Sequence, residues 1–278
     1  MRSLSCAGRL LDLSHPKVMG ILNLTSDSFY DGGRYTRRDA WIQQAEKMLE
    51  EGADILDVGA ASSRSGAVEV PELEERAKVQ EAVTSILQQF PHALISVDTW
   101  RASVARAAVE AGAAIVNDIS AGRLDPAMYE TVAALDVPYI LMHMKGTPAD
   151  MQKDPVYENV VTEVLDFLVA EVHHLRSLGI KDIVLDPGFG FGKTIPHNYA
   201  LLKNLHVFGK VTGLPVLAGL SRKSMTYKFL GIPPDQALNG TTALNMVALQ
   251  QGASILRVHD VKEAVQVVKL FEVIRGEG

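Results

Sequence analysis

One cysteine in 278 residues excludes an internal disulfide, so Cys6 fits a chain kept in a reducing compartment, and we expect a cytoplasmic protein. No apolar run is long enough to span a bilayer. The stretch from Met1 to Pro16 lacks an apolar signal core and has Arg2, Arg9 and Asp12 spread through it. The net charge of −6 comes with no basic stripe, only the isolated pairs Arg37-Arg38 and Arg222-Lys223. A nucleic-acid surface is thereby excluded, while a local pocket for a small anion is not. No His/Cys cluster and no His-Glu-x-x-His occurs, and His143 has no partner at metal-ligand spacing, so a tightly held zinc is not expected. No Gly-x-Ser-x-Gly elbow supports a serine nucleophile. No Pro/Ser-rich or charged linker breaks the chain, which reads as one domain over 1–278: an N-terminal extension at 1–16 and the main body at 17–278.

What is present is a loose repeat. Gly52-Ala-Asp-Ile-Leu-Asp-Val, Gly112-Ala-Ala-Ile-Val-Asn-Asp, Gly179-Ile-Lys-Asp-Ile-Val-Leu-Asp and Gly252-Ala-Ser-Ile-Leu-Arg-Val share one plan. Each follows an amphipathic stretch, stops it with glycine and restarts as a β-rich apolar run. Strands are expected at 18–24, 54–59, 93–97, 114–118, 138–143, 182–186, 215–219 and 254–258. Helical spacing marks 39–51, 71–89, 156–178, 198–211, 237–250 and 262–275. Eight uniformly apolar strands alternating with helices predict an α/β fold, a single TIM-type (β/α)8 barrel. The residues up to His15 would form an extra strand or hairpin plugging its base. A doubly wound open sheet is the runner-up, but it should carry a Gly-rich dinucleotide turn after the first strand, and Asn23-Leu-Thr-Ser-Asp-Ser is not one.

The carboxyl ends of these strands carry Asn23, Asp57 with Gly59, Asp98, Asn117 with Asp118, His143, Asp186, Gly219 leading to Arg222-Lys223, and Arg257 with His259. A single Asp at a strand end is more often a cap or turn residue. A whole ring of polar groups above an apolar interior is what a barrel's ligand site is made of. The ring is mixed in sign. Asp98, Asn117 and Asp186 are acceptors, with Asp57 and Asp118 placed to support them, whereas Lys223, Arg257 and His259 are donors. A bicyclic nitrogen heterocycle bearing a phosphate ester satisfies both halves; a sugar phosphate satisfies one.

Two loops add to this rim. Asp186-Pro-Gly-Phe-Gly-Phe-Gly-Lys193 reads as a ring-binding turn anchored by Asp186, its glycines allowing close approach and Phe189 and Phe191 supplying apolar walls. As a phosphate loop it has the wrong spacing. Thr25 to Gly33 is polar apart from Phe29 and Tyr30, two neighbouring aromatics suited to closing over a flat ligand. Ser62-Ser-Arg64-Ser-Gly66 is a second flexible loop with one cation.

In order and at strand ends, Met19–Gly33, Asp57-Val-Gly59, Ser96-Val-Asp-Thr99, Val116-Asn-Asp-Ile-Ser120, Leu141-Met-His-Met144, Asp186–Lys193, Ser221-Arg-Lys-Ser224 and Arg257-Val-His259 make the chain resemble the dihydropteroate synthases. These are folate-pathway enzymes of the pterin-binding barrel family, and the resemblance runs nearly end to end. It implies a transferase that condenses 6-hydroxymethyl-7,8-dihydropterin pyrophosphate with 4-aminobenzoate to give dihydropteroate and pyrophosphate. It assigns the pterin to Asp98, Asn117, Met142, Asp186, Phe191, Gly219, Lys223 and Arg257, and the pyrophosphate to Asn23, Arg257 and His259. A Mg²⁺ shared with the leaving group would sit near Asn23. The 4-aminobenzoate slot, where sulfonamides also bind in the family, falls to Phe29, Ser63, Ser65, Phe191 and Ser224. Asp98, Lys223, Asp27 and Arg64 are the residues implied to act in the chemistry, the last two as a pair across closed loops. A homodimer through helices on the C-terminal side is expected.

The departures lie in the two loops: Ser26 and Ser65 stand where the family commonly has proline, Ala61 where it has Glu, and Ser63 where it has Thr. Two rival readings share the barrel and the ring. One is a pterin-binding methyltransferase domain serving a corrinoid partner; the other is a non-catalytic pterin-binding paralogue.

Overall fold

The computed structural model describes residues 3–24, 37–61, 70–148, 150–151 and 153–276. Expectations for Ser26, Asp27, Phe29, Tyr30, Ser63, Arg64 and Ser65 fall outside the described residues.

Strands β1 (Ser3–Cys6) and β2 (Arg9–Asp12) pair as an antiparallel hairpin. The eight expected strands follow as β3 (Lys17–Asn23), β4 (Ile55–Gly59), β5 (Ile95–Asp98), β6 (Ile115–Asp118), β7 (Tyr139–Met142), β8 (Ile183–Asp186), β9 (Leu217–Ala218) and β10 (Ile255–Val258). Their order is β8-β7-β6-β5-β4-β3-β10-β9, every named pairing within it parallel. A parallel bridge from Leu185 to Val216 brings β8 and β9 together. The sheet is therefore a barrel, and the open doubly wound alternative is excluded.

Helices α1 (Arg37–Glu50), α2 (Glu72–Gln89), α3 (Ala102–Glu110), α4 (Met128–Leu135) and α5 (Val160–Ser177) connect the first strands. The series continues with α6 (Ile195–Lys203), α7 (His206–Thr212), α8 (Ser224–Leu230), α9 (Leu238–Gln250) and α10 (Val261–Arg275). Helices α3, α4 and α8 were not among those expected, and two of the expected helices differ in extent for identifiable reasons. The helix expected from 156 begins at Val160, because Asn159 Oδ1 accepts from the Val161 and Thr162 amides. The helix expected over 198–211 is two. Thr194 and His197 form a capping box with Pro196 behind it, which starts α6 early. Asn204 then ends it, its amide donating back to the Ala200 carbonyl.

The glycine restarts share a left-handed backbone, with φ +98° at Gly52, +89° at Gly179 and +88° at Gly252. Gly112 sits at φ +113°, and a Cβ there would lie 2.5 Å from Leu87 Cδ1. Strand alternation then divides the core in two. Outward residues such as Leu56, Val97, Val116, Leu141 and Leu185 pack under the helices. Inward residues Met19, Ile55, Ile115, Ile140, Val184, Leu217 and Ile255 fill the lower barrel together with Leu4, Cys6 and Leu13. The hairpin thus plugs the base, as expected. It is tied there by Ser5 N on Asp182 Oδ2 at 3.0 Å and by Arg9, which donates to the His92 and Pro91 carbonyls.

Candidate active site at the barrel mouth

Each inward apolar residue of the floor is followed, two positions on, by a residue of the same inward face. Above Ile55, Leu94, Ile115, Ile140, Val184, Leu217 and Ile255 stand Asp57, Ser96, Asn117, Met142, Asp186, Gly219 and Arg257. Alternation alone therefore converts an apolar floor into a polar layer. Asp57, Ser96, Asn117 and Asp186 are all buried there.

Arg257 organises one side of this layer. Its Nε donates to Asp57 Oδ2 and its Nη2 to Asp98 Oδ2, both at 2.6 Å. Asn117 Nδ2 donates to the same Asp57 oxygen at 3.0 Å. Burial pushes Asp98 up to about 7; Arg257 pulls the other way, and the neighbouring charges of Asp57, Asp118 and Glu75 add to the rise. Asp118, expected to support the ring, does not face it. It follows Asn117 by one residue and so points to the helix side, where it accepts from Tyr139 Oη and from the Ser120 and Gly122 amides, each at 2.7 Å. Its work is to hold the turn after β6.

Opposite Arg257 lies the glycine-rich turn. Asp186 Oδ1 accepts from the Gly188 amide at 2.7 Å, and burial raises its carboxyl above the ordinary range against the pull of Lys223. Lys223 reaches over from the start of α8, donates to the Phe189 carbonyl and stacks its ammonium 4.6 Å from the centre of the Phe191 ring. Burial lowers Lys223 to about 8, with Asp186 opposing the fall.

The expectation for this turn needs two corrections. Phe189 is fully buried in the core under the helices and offers no wall to a ligand, whereas half-buried Phe191 does. The glycines also serve the protein's own backbone: a Cβ on Gly188 would lie 1.9 Å from the His143 carbonyl oxygen. Lys193, which the sequence left without a role, is the buried fastener of the turn. Its Nζ lies 3.0 Å from Gly188 O, 2.9 Å from Phe191 O and 3.0 Å from His143 Nδ1. His143 is accordingly a neutral acceptor, pushed down to about 2 by burial first and by the Lys193 charge second.

Ser221-Arg-Lys-Ser224 divides its labour. Ser221 Oγ accepts from the His259 amide and lies 3.1 Å from its Nδ1. Arg222, in a left-handed conformation at φ +52°, binds Asp260 through Nε and Nη2 at 2.9 and 2.6 Å. Lys223 is thereby turned into the mouth, and half-buried Ser224 opens α8 beside it. Above Met142, an apolar patch of Ile119, Met142, Met144 and Met151 packs against Phe191 and Trp100. Trp100 was not foreseen, although its place two residues past Asp98, at the end of β5, is the signal that marks it. Asn23 stands exposed at the end of β3, in register with Gly59.

An apolar patch flanked by buried carboxylates, an amide and two cations suits a flat, polar-edged ring, and known proteins bear on that reading. The family model for pterin binding enzymes matches residues 19–259. The dihydropteroate synthase of Haemophilus influenzae is 47% identical over 266 residues, covering 95% of this chain and 96% of its own. The chain belongs to the dihydropteroate synthase family. Within that family, the Xanthomonas albilineans enzyme solved with 4-aminobenzoic acid superposes with a TM-score of 0.92 at 42% identity, covering 99% of this chain and 98% of its own. The same enzyme in complex with 7,8-dihydropteroate gives 0.88 at 40% identity, with 98% of each chain covered.

Magnesium is the family group whose fit these residues test. Mg²⁺ favours oxygen ligands and is often held mainly by substrate phosphates. Among the described residues no group of three or more His, Cys, Asp or Glu is placed to hold a metal ion. Exposed Asn23 offers one neutral carbonyl oxygen on the rim. That donor set fits an ion carried largely by a pyrophosphate.

Proposed function

We propose that this chain condenses 6-hydroxymethyl-7,8-dihydropterin pyrophosphate with 4-aminobenzoate, forming dihydropteroate and releasing pyrophosphate. The observation that carries the reading is the buried mouth itself: Asp98, Asn117 and Asp186 as acceptors, Lys223 and Arg257 as donors, in one layer above an apolar plug. Such a site binds the ring by its edge. Asp186 takes paired N–H donors and Lys223 donates to the carbonyl edge, both as charge-assisted bonds. Two nitrogens of Arg257 are engaged by carboxylates, which fixes the plane of the guanidinium against the ring and aims it toward the leaving group. His259, steadied by Ser221, joins Arg257 and Asn23 on the pyrophosphate side.

In the reaction the carbon–oxygen bond breaks and pyrophosphate departs with the electron pair. Positive charge spreads over the ring beside Asp98 and Asp186. The amine nitrogen of 4-aminobenzoate then bonds to the methylene carbon and loses a proton. Mg²⁺, when bound near Asn23, supplies charge neutralisation of the pyrophosphate. The protein's contribution is positional and electrostatic, with no covalent nucleophile required. Phe191 and Ser224 border the place for 4-aminobenzoate; Asp27, Phe29, Ser63, Arg64 and Ser65 complete the assignment by resemblance alone.

A Mg²⁺-dependent pyrophosphate-release assay with both substrates tests this. Release that requires 4-aminobenzoate supports it. Pterin binding without turnover would favour the non-catalytic paralogue, and methyl transfer to a corrinoid would favour the methyltransferase. We further propose a homodimer through the C-terminal helices, supported by exposed Phe229 and Leu230 on α8, Val247 on α9, and Leu270, Val273 and Ile274 on α10. Sedimentation as a strict monomer at assay concentration would end that proposal. No helix among the described residues is long and apolar enough to cross a membrane. A cytoplasmic location rests on the lone, buried, free Cys6.

A further inference from the structure

Asp57 stands in the polar layer beside Asn117 and Arg257, 1% exposed, directly above the apolar floor. A buried carboxylate is expensive, and an aliphatic residue would pack the barrel more cheaply. Asp57 is also incompletely satisfied. Its Oδ2 takes both donors, Asn117 Nδ2 at 3.0 Å and Arg257 Nε at 2.6 Å, while Oδ1 is buried with no partner. The neighbouring position in register, Ser96, likewise has a buried hydroxyl without a partner. Two orphaned polar atoms in a core are not a stability device.

Their consequence lies in Asn117. An asparagine amide is ambiguous: turned one way it offers an oxygen, turned the other an NH₂. An ionised carboxylate only accepts, so Asp57 admits one orientation, with Nδ2 down and Oδ1 left for the mouth. The same oxygen fixes Arg257 by Nε, which leaves Nη2 to reach Asp98. One buried acceptor thus sets two of the groups that meet the ring.

We propose that Asp57 is a positioning residue for the pterin, fixing the Asn117 amide so that its oxygen faces the ligand and fixing the guanidinium plane of Arg257. The proposal deepens the functional reading above and rests on it. Asp57 makes no contact with substrate; its effect passes through Asn117 and Arg257. Asp57→Asn, nearly isosteric, can present either end of its own amide and so no longer dictates the orientation of Asn117.

The test is calorimetric binding of 6-hydroxymethyl-7,8-dihydropterin pyrophosphate with Mg²⁺ to wild type, Asp57→Asn, Asn117→Ala and the double variant. Wild type must bind; failure there sinks the functional reading rather than this proposal. Asp57→Asn is expected to weaken binding by about tenfold to a hundredfold, the range for a lost charge-assisted bond. In the Asn117→Ala background the same change should have a much smaller effect, because part of its route is already gone. The pH dependence separates positioning from general support. The charges that act on Asp98 are Arg257 on β10, which lowers it, and Asp57 on β4, Asp118 on β6 and Glu75 on α2, which raise it. Removing the Asp57 charge should therefore move the acid limb of pterin binding to lower pH, which a merely structural loss would not do. Unchanged pterin affinity, or a full effect in the Asn117→Ala background with the acid limb unmoved, would overturn the proposal. Should Asp57→Asn not fold, wild type labelled with ¹⁵N-asparagine still decides it. One side-chain amide proton of Asn117 must be protected from exchange in the free protein, and two freely exchanging protons would refute the claim.

Discussion

Lys193 and His143 meet 3.0 Å apart, ammonium nitrogen against Nδ1, with both side chains buried. Neither belongs to the ligand ring, and they lie 50 residues apart in sequence. Together they tie the turn after β8 to the end of β7. Burial pulls the lysine well down, and it pulls the histidine down with help from the lysine's charge, so the imidazole enters the pair as a neutral acceptor.

Lys193→Met should therefore destabilise the fold while making it less acid-sensitive. Leaving the Gly188 and Phe191 carbonyls unpaired costs about 2–5 kcal/mol. His143 has a folded pKa near 2 against an ordinary value of 6.5. Between these values the unfolded chain holds the extra proton, so this stability is fully present above pH 6.5 and is lost as pH falls, at up to about 1.4 kcal/mol per pH unit. Without the lysine charge the histidine rises and the window narrows. Urea titrations from roughly pH 7 to pH 4 should show a lower midpoint but a shallower decline in the variant. An unchanged slope would dissociate the two residues.

Asp98 and Lys223 define a pH window for the pterin. Asp98, pushed up to about 7, is a carboxylate only above that value; Lys223, lowered to about 8, is an ammonium only below it. Both charged forms are needed to accept from and donate to the ring. The profile of kcat/KM for the pterin substrate should be bell-shaped, with macroscopic limbs near these values. Asp98→Asn should remove the acid limb at reduced activity. A flat profile in wild type from roughly pH 6 to pH 9 would contradict the assignment.

Asp186→Asn should weaken pterin binding by about 1.5–3 kcal/mol, the usual loss when a bond to a charged group becomes neutral. The buried Gly188 amide keeps an oxygen to donate to, so the fold should survive. Calorimetry with the pterin pyrophosphate checks this, and unaltered affinity would remove Asp186 from the site.

Much of this was legible in the chain. The restarts at Gly52, Gly112, Gly179 and Gly252 announced strands and helices in alternation, because a helix end and a buried parallel strand impose strong local patterns. The polar ring was legible as a set, since Asn117, Asp186 and Arg257 each close an apolar run. Its internal wiring was less so. Period-two alternation separates Asn117 from Asp118 and was sufficient to turn Asp118 outward, but it cannot say that Asp57 and Asp98 share Arg257 across the barrel. Nothing in Phe-Gly-Phe-Gly-Lys distinguishes Phe189, which packs beneath helices, from Phe191, which lines the mouth. Gly190, at φ +83°, turns the chain between the two, and alternation fails there. Lys193 was missed because burial of a lysine is decided by distant carbonyls, not by its neighbours in sequence.

The glycines of that turn give the last prediction. Gly188 and Gly190 have similar left-handed backbones, at φ +71° and +83°, so an alanine at either meets similar conformational strain. What differs is the obstacle. At Gly188 the new Cβ would lie 1.9 Å from the His143 backbone oxygen, which belongs to the end of β7 and cannot move without breaking the barrel. At Gly190 it would lie 3.3 Å from Lys223 Cδ, a flexible stem. Gly188→Ala should therefore fail to accumulate as folded protein, or unfold well below the wild-type temperature. Gly190→Ala should fold with a loss of about 1–2 kcal/mol, set by the left-handed conformation. It should also displace the Lys223 ammonium from Phe189 O and the Phe191 ring, raising the dissociation constant for the pterin. Thermal denaturation and calorimetry on the two variants separate these outcomes. Equal destabilisation of both, with pterin affinity intact in Gly190→Ala, would mean that backbone strain and not the neighbouring atoms sets the requirement for glycine in this turn.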